Sequence, residues 1–198
     1  MTMTPDTAAR HELRPGERLL WSGRGDPRVV FSKSDAFIVP FSLLWGGFAI
    51  FWESQVLLEG GPSFLPLFGG VFCVIGLYLI VGRFFVKAHR KRTTTYAVTD
   101  RRAFTVSGRT TVDTSVKSVD RTTTRSRDRS HVTVVWNSSA WGGYFGGGLF
   151  GGGMFGGRRG GWPPNSGLDL FSSQRVMGFF DVSDGAALIA ALDQAGDR

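Results

Sequence analysis

Two apolar stretches dominate the pattern of the chain. The first runs from Ala36 to Trp52, 17 residues without a charge, and the second from Phe64 to Val86, 23 residues interrupted by Arg83 and Cys73. At about 1.5 Å rise per residue the second reaches roughly 34 Å, enough to cross a hydrocarbon core of about 30 Å with some tilt. The first lies near the lower limit of length for a spanning helix, about 17 residues. Pro40 sits in its first turns, where a missing N–H costs little. A single short apolar run reads equally as a buried core helix. Two runs eleven residues apart predict instead a transmembrane hairpin over residues 36–86, with helices at 36–52 and 64–86 and an outside loop at 53–63.

After Val86 the period of the pattern changes from helical to two. Thr95 to Val98 and Ala103 to Val106 flank Thr99-Asp100-Arg101-Arg102 and predict a strand hairpin around a polar turn. A third strand is expected over Thr110 to Thr114, an edge strand over Val116 to Thr124, and a strong one over His131 to Trp136. Leu168 to Phe171 and Val176 to Val182 read as further strands. Ala186 to Gln194 reads as a closing helix capped by Ser183 or Asp184, with Leu188, Ile189 and Leu192 on one face. Asp181 and Asp184 suit the positive end of its dipole. Residues 87–198 are thus expected to form one domain, and residues 1–35 an N-terminal segment. Within that segment Met1 to Glu12 reads as frayed and polar, and Leu19 to Trp21 as a short strand or an interfacial piece.

Charge orients the hairpin. The connector Glu53 to Ser63 carries two acids and no Lys or Arg, whereas Arg18, Arg24, Arg28 and Lys33 precede the first run. Arg83, Lys87, Arg90, Lys91 and Arg92 end the second. The positive-inside rule then predicts both termini in the cytoplasm, N-in and C-in. The net charge is +7, and from Arg83 onward there are 17 Lys/Arg against 9 Asp/Glu. Beside a membrane, the partner expected for this charge is the anionic inner leaflet, at roughly 1 kcal/mol per well-placed cation. The expected headgroup and topology cluster is Arg83, Lys87, Arg90, Lys91 and Arg92, extended by Arg101 and Arg102 at the first strand turn. The plainer account of the same cations is that they only set topology.

Each apolar run also carries a ridge of small residues, Ser42, Gly46 and Ala49 in the first and Gly69, Cys73 and Gly76 in the second. Such ridges let helices approach closely in lipid, within one hairpin or between protomers. Residues 138–167 form a glycine- and aromatic-rich loop, with 12 glycines in Gly142 to Gly161. Glycine at this density disfavours order. A sharper role for the loop is insertion of Tyr144, Phe145, Leu149, Phe150, Met154 and Phe155 into the interface, with Arg158 and Arg159 on phosphates. Gly146, Gly148 and Gly151 match a dinucleotide fingerprint only formally, because Pro163-Pro164 follows where a helix is required.

Enzymatic chemistry finds no support. The three histidines, His11, His89 and His131, have no Cys, Asp or Glu at metal-ligand spacing. No nucleophile stands beside a base, and Cys73 lies within an apolar run. No cofactor or metal is expected. Lys87 to Arg92 with Arg101, Arg102, Arg121, Arg125, Arg127 and Arg129 would suffice electrostatically for nucleic acid, but the aromatic stacking signature of an RNA-binding sheet is missing.

Several blocks together resemble bacterial membrane proteins that carry a pleckstrin-homology-like domain after a transmembrane pair. They are PGERLLWSGR (Pro15 to Arg24), VPFSLLWGGFAIFWE (Val39 to Glu53), PLFGGVFCVIGLYLIVGRFF (Pro66 to Phe85), TYAVTDRR (Thr95 to Arg102) and FFDVSDGAALIAAL (Phe179 to Leu192). The resemblance implies a strongly bent antiparallel sheet or barrel capped by one C-terminal helix, at the cytoplasmic membrane of a bacterium. It implies no enzymatic activity and no defined ligand. The glycine-aromatic loop departs from the pattern. The expected role is a membrane-anchored lipid-surface or protein-binding scaffold; the alternative is a homo-oligomeric assembly or adaptor subunit for another membrane protein.

Overall fold

The computed structural model describes residues 4–32, 35–60, 62, 64–117, 121–126, 130–136, 165–168 and 177–197. In chain order the elements are α1 (Pro5–His11), β1 (Leu19–Gly23), α2 (Asp35–Glu59), α3 (Leu65–Leu77), a π-helical turn (Tyr78–Gly82) and α4 (Arg83–Thr93). Then follow β2 (Thr94–Thr99), β3 (Arg102–Ser107), β4 (Thr110–Ser115), β5 (Arg121–Arg125), β6 (Val132–Trp136), β7 (Gly178–Val182) and α5 (Gly185–Gly196).

Two helices are long and apolar enough to cross a membrane. One is α2, 25 residues; the other is the continuous rod Leu65–Thr93, 29 residues, made of α3, the π turn and α4. Their outer faces leave Leu44, Phe48, Leu67, Val74 and Leu77 largely exposed. The helices meet along small residues. Ser42, Gly46 and Ala49 are buried on α2, and Gly69 and Gly76 on α3, with Cys73 half-buried. At Gly76 an added Cβ would lie 3.1 Å from Gly46 Cα, so the two backbones touch where both side chains are absent. The ridge is therefore used inside one hairpin. α2 continues beyond the expected end at Trp52 to Glu59, so most of residues 53–63 are helical rather than loop.

The N-terminal segment departs from expectation. Residues Met1 to Glu12 were expected to fray, yet α1 is ordered: Thr4 caps it and Ala9 is fully buried against Ala97 and Phe104. The strand alternative for Leu19 to Trp21 holds: β1 pairs antiparallel with β2, Trp21 opposite Val98 and Gly23 opposite Tyr96. The β domain thus begins before the helical pair and resumes after it, and the hairpin is an insertion between two adjacent strands.

Four strands form one antiparallel sheet in the order β1-β2-β3-β4, and three form another in the order β5-β6-β7. The isolated bridge Gly25–Val182 links β1's extension to β7. Among the described residues the two sheets do not close into a barrel. Val116 and Lys117 lie in a turn rather than in the edge strand expected from Val116, and β5 is described over Arg121–Arg125. The period-two pattern explains the core. Trp21, Tyr96, Val98, Val134, Trp136 and Phe179 point inward and are covered by Leu188, Ala191, Leu192 and Ala195 of α5. Asp184 takes the N-cap position of α5 but makes no side-chain capping bond.

Phe179 is the aromatic centre of this core, 4.8 Å from the Tyr96 ring, 5.0 Å from Trp136 and 6.2 Å from Trp21. It joins β1, β2, β6 and β7. Phe179→Ala is expected to cost about 3–5 kcal/mol, read as a clear fall in the thermal midpoint of tryptophan fluorescence of the full-length protein in mild detergent. A drop of no more than a degree or two would show that the two sheets do not share this core.

Candidate functional site, a buried charged junction

Where the helical pair enters the β domain, charged side chains are buried instead of exposed. Asp35, the first residue of α2, is 2% exposed, and Arg83 and Lys87 of α4 are 0% and 2% exposed. Arg83 Nη1 donates to Asp35 Oδ1 at 2.6 Å, and Lys87 Nζ donates to Asp35 Oδ2 at 2.6 Å. Ser32 completes the set. Its amide and its hydroxyl both donate to Asp35 Oδ2, at 2.6 and 2.7 Å, and its Oγ accepts from Lys87 Nζ at 3.1 Å. The Ser32 amide and hydroxyl thus close on the carboxylate of the first residue of α2, three residues on. The residues meet because Arg83, Lys87 and Lys91 recur every fourth position and so share one face of α4.

One turn further, Lys91 is 3% exposed. Its Nζ donates to Asp181 Oδ2 at 2.5 Å and to the Val29 carbonyl. Asp181 gathers several elements. It accepts from Asn165 Nδ2 at 2.9 Å, its amide donates to Thr133 Oγ1 at 3.0 Å, and its carbonyl accepts from the Asp26 amide at 2.8 Å. Asp181 holds a left-handed φ of 53°, a cost of order 1–3 kcal/mol offset by these bonds. Asp26 in turn lies 3.1 Å from His131 Nε2. The Arg28 amide, donating to Asp26 Oδ1 at 2.8 Å, lowers the Asp26 pKa below the ordinary carboxylate value; partial burial opposes this and His131 adds to it.

The expected headgroup cluster therefore divides. Arg83, Lys87 and Lys91 are buried against carboxylates and are not open to headgroups. Arg92 is exposed and Arg90 half-buried. Arg101 is exposed, but it lies at the far end of β2 from α4, about 20 Å away at 3.3 Å per residue. Arg102 beside it is 7% exposed. Its guanidinium donates to Glu17 at 2.9 Å, Asp113 at 3.2 Å and the Glu12 carbonyl at 2.6 Å, and stacks 4.7 Å from the Phe104 ring. Burial would lower its pKa, but Glu17 and then Asp113 outweigh that and hold it above the usual value. Arg102 fastens the N-terminal segment to β3 and β4, so Arg101 and Arg102 do not extend a patch around α4. The sequence reading missed Asp35 and Asp181 as partners. The signal for Asp35 was an acid at the start of an apolar helix, beside Ser32.

Tyr144, Phe145, Leu149, Phe150, Met154 and Phe155, with Arg127, Arg129, Arg158 and Arg159, lie outside the described residues. Among the described residues no three His, Cys, Asp or Glu side chains are grouped to hold a metal ion. No protein-family model, no curated protein and no solved structure matches the chain.

Two measurements follow from this geometry. Asp35→Asn removes the carboxylate shared by two buried cations, and an expected loss of about 3–5 kcal/mol would appear as a lower thermal midpoint in detergent that added salt does not restore. Asp26, with its lowered folded pKa, contributes stability that is present above the ordinary carboxylate range near pH 4 and lost as pH falls through its folded value. The thermal midpoint of Asp26→Asn should therefore fall less between pH 5 and pH 3 than that of the wild type (about one unit either side of that range); equal falls would show that Asp26 is not linked to folding.

Proposed function

We propose that this protein is a non-enzymatic, membrane-anchored module whose PH-like domain lies against the inner leaflet, N-in and C-in, as a lipid-surface or protein-binding scaffold. The observation that carries this reading is the insertion of the helical pair between β1 and β2. Both helices leave the body of the domain, and α4 runs from the apolar rod into β2 without a linker. The Asp35 junction ties α2 to α4, and one turn further the Lys91–Asp181 pair ties α4 to the β5-β6-β7 sheet. A domain held this way cannot swing away from the bilayer its helices enter. Two antiparallel sheets with one C-terminal helix across them favour the PH-like assignment.

The cations left facing solvent near the root of the helices, Arg28 and Arg92, then stand at headgroup level. They attract anionic lipid weakly and in a salt-sensitive way. The homo-oligomeric reading would need a surface other than the small-residue ridge, which is already occupied within the hairpin.

A fluorophore at the exposed position 89 (His89→Cys in a Cys73→Ser background) tests apposition in full-length protein in nanodiscs. Emission should shift to the blue with one-third phosphatidylglycerol relative to pure phosphatidylcholine, and revert at about 0.5 M salt, where screening is short-ranged. Identical spectra in both lipids would remove the headgroup role. For orientation, Pro62→Cys in the same background should react with an impermeant maleimide in intact cells, and position 89 only after permeabilisation. The reverse pattern would overturn N-in, C-in.

A further inference from the structure

The β domain leaves two strand edges open. The Gly25–Val182 bridge joins the extension of β1 to β7, so among the described strands the open edges are β4 and β5. Strand β4 is engaged by the N-terminal segment, through Arg14 on Asp113 at 2.8 Å and Thr111 on Glu12 at 3.0 Å. Among the described residues no such segment lies along β5. Thr122, Thr123 and Arg125 are exposed, and Arg121 and Thr124 half-buried. Proteins commonly blunt an edge with a proline, a bulge or an inward charge. Arg121–Arg125 has no Pro or Gly, and its register with β6 is unbroken. Its three threonines favour an extended chain.

The ladder fixes which backbone groups face outward. The Trp136 amide donates to the Met177 carbonyl at 3.0 Å, and the Ser126 amide donates to the His131 carbonyl at 2.9 Å. Backbone direction alternates along a strand, so His131, Thr133 and Val135 face β5, while Val132, Val134 and Trp136 face β7. Thr122 and Thr124, opposite Val135 and Thr133, therefore spend their backbone groups on β6. Arg121, Thr123 and Arg125 turn theirs to the open edge. Their side chains share the face of Trp136, Val134 and Val132, at the rim of the core.

Charge decides which kind of strand fits. From Lys117 to Arg129 the chain carries five Lys/Arg against two Asp. Arg121 donates to Asp193 of α5 at 2.5 Å, which leaves Arg125 as the cation of β5 with no ion pair among the described residues. A second copy pairing its β5 with this one about Thr123 would set each Arg121 opposite the other copy's Arg125, a like-charge contact at both ends. An acidic strand meets no such cost. We propose that β5 is a docking edge for an extended acidic segment of a partner protein, added as an antiparallel strand. Its main chain bonds Arg121, Thr123 and Arg125, with a carboxylate opposite Arg125 and an apolar residue opposite Thr123. The inference rests on the protein-binding half of the scaffold reading above, and it supplies the surface and the class of partner.

The test is fluorescence anisotropy of a capped, C-terminally labelled peptide, Glu-Thr-Val-Thr-Val, with full-length protein in an uncharged mild detergent and empty micelles as the blank. Antiparallel docking places its Glu opposite Arg125 and its central Val opposite Thr123. Saturable binding is expected. It should weaken about tenfold with Lys in place of the peptide's Glu, and about tenfold with Arg125→Glu protein, as an opposite-charge pair becomes a like-charge one. The two changes together should restore it. Thr123→Pro removes an outward N–H and no bond to β6, so it should abolish binding while the thermal midpoint stays within a few degrees. If Thr123→Pro fails to fold, the charge swap decides alone. No saturable binding by wild-type protein up to about 1 mM, equal binding of the Glu and Lys peptides, or a wild-type dimer in light scattering that Thr123→Pro disperses would each overturn the proposal. The nanodisc measurement contains no peptide, so lipid apposition and strand docking can fail separately.

Discussion

The Asp35 carboxylate is the contact on which the placement of the helices depends. A carboxylate offers about four lone-pair sites, and Arg83, Lys87 and two groups of Ser32 take them. With so many donors on one acceptor in a nearly water-free setting, neither helix can rotate about its axis without leaving a charge unpaired. Such a cluster does not make the protein more stable than a well-packed apolar joint would; its particular effect is to define one arrangement and penalise the others. The position of Asp35 helps. As the first residue of α2 it faces the positive end of the helix dipole, which favours the ionised form.

The second constraint is topological. Because β1 precedes α2 and β2 follows α4, closing the β1–β2 ladder also brings together the two chain ends of the helical insertion. Lys91 and Asp181 then carry the connection across to the second sheet, where Asp181 also binds Asn165, Thr133 and the Asp26 amide. Gly167 adds a close contact on the other side of α4, since an added Cβ would meet the Arg83 carbonyl at 2.7 Å and its own φ is +80°. Tyr78 of the π turn donates to the Gly167 carbonyl at 2.6 Å. A loop segment, a helical rod and two sheets thus converge within the two turns from Arg83 to Lys91.

Much of the architecture was legible because it depends on period and length. The apolar runs, the hairpin around Thr99 to Arg102, the strand at His131 to Trp136 and the closing helix all announce themselves locally. What was not legible depends on distant pairing. Leu19 to Gly23 carries an adequate strand pattern, but nothing local says that its partner lies beyond a 59-residue helical insertion. Pro5–His11 is too short to be stable alone and forms because Ala9 docks on Ala97 and Phe104. The charged site was misread for the same reason. A run of Lys and Arg after an apolar stretch is ordinarily solvated, and only the fold brings Asp35, 48 residues away, against Arg83.

The basic run after the second helix therefore carries two kinds of information at different stages. On the proposed orientation, insertion reads only the number of cations beside an apolar segment, before any tertiary contact exists, so Arg83, Lys87 and Lys91 count fully. Once β1 and β2 pair, the fourfold spacing turns those three inward, and Arg92 is left to solvent. Burial does not undo the topological choice, because a helix already inserted cannot re-cross the bilayer at the expense of its buried charges. It does change what the cations offer a partner: Arg92 remains exposed, while Arg83 is enclosed, its Nε and Nη2 buried without a hydrogen-bond partner.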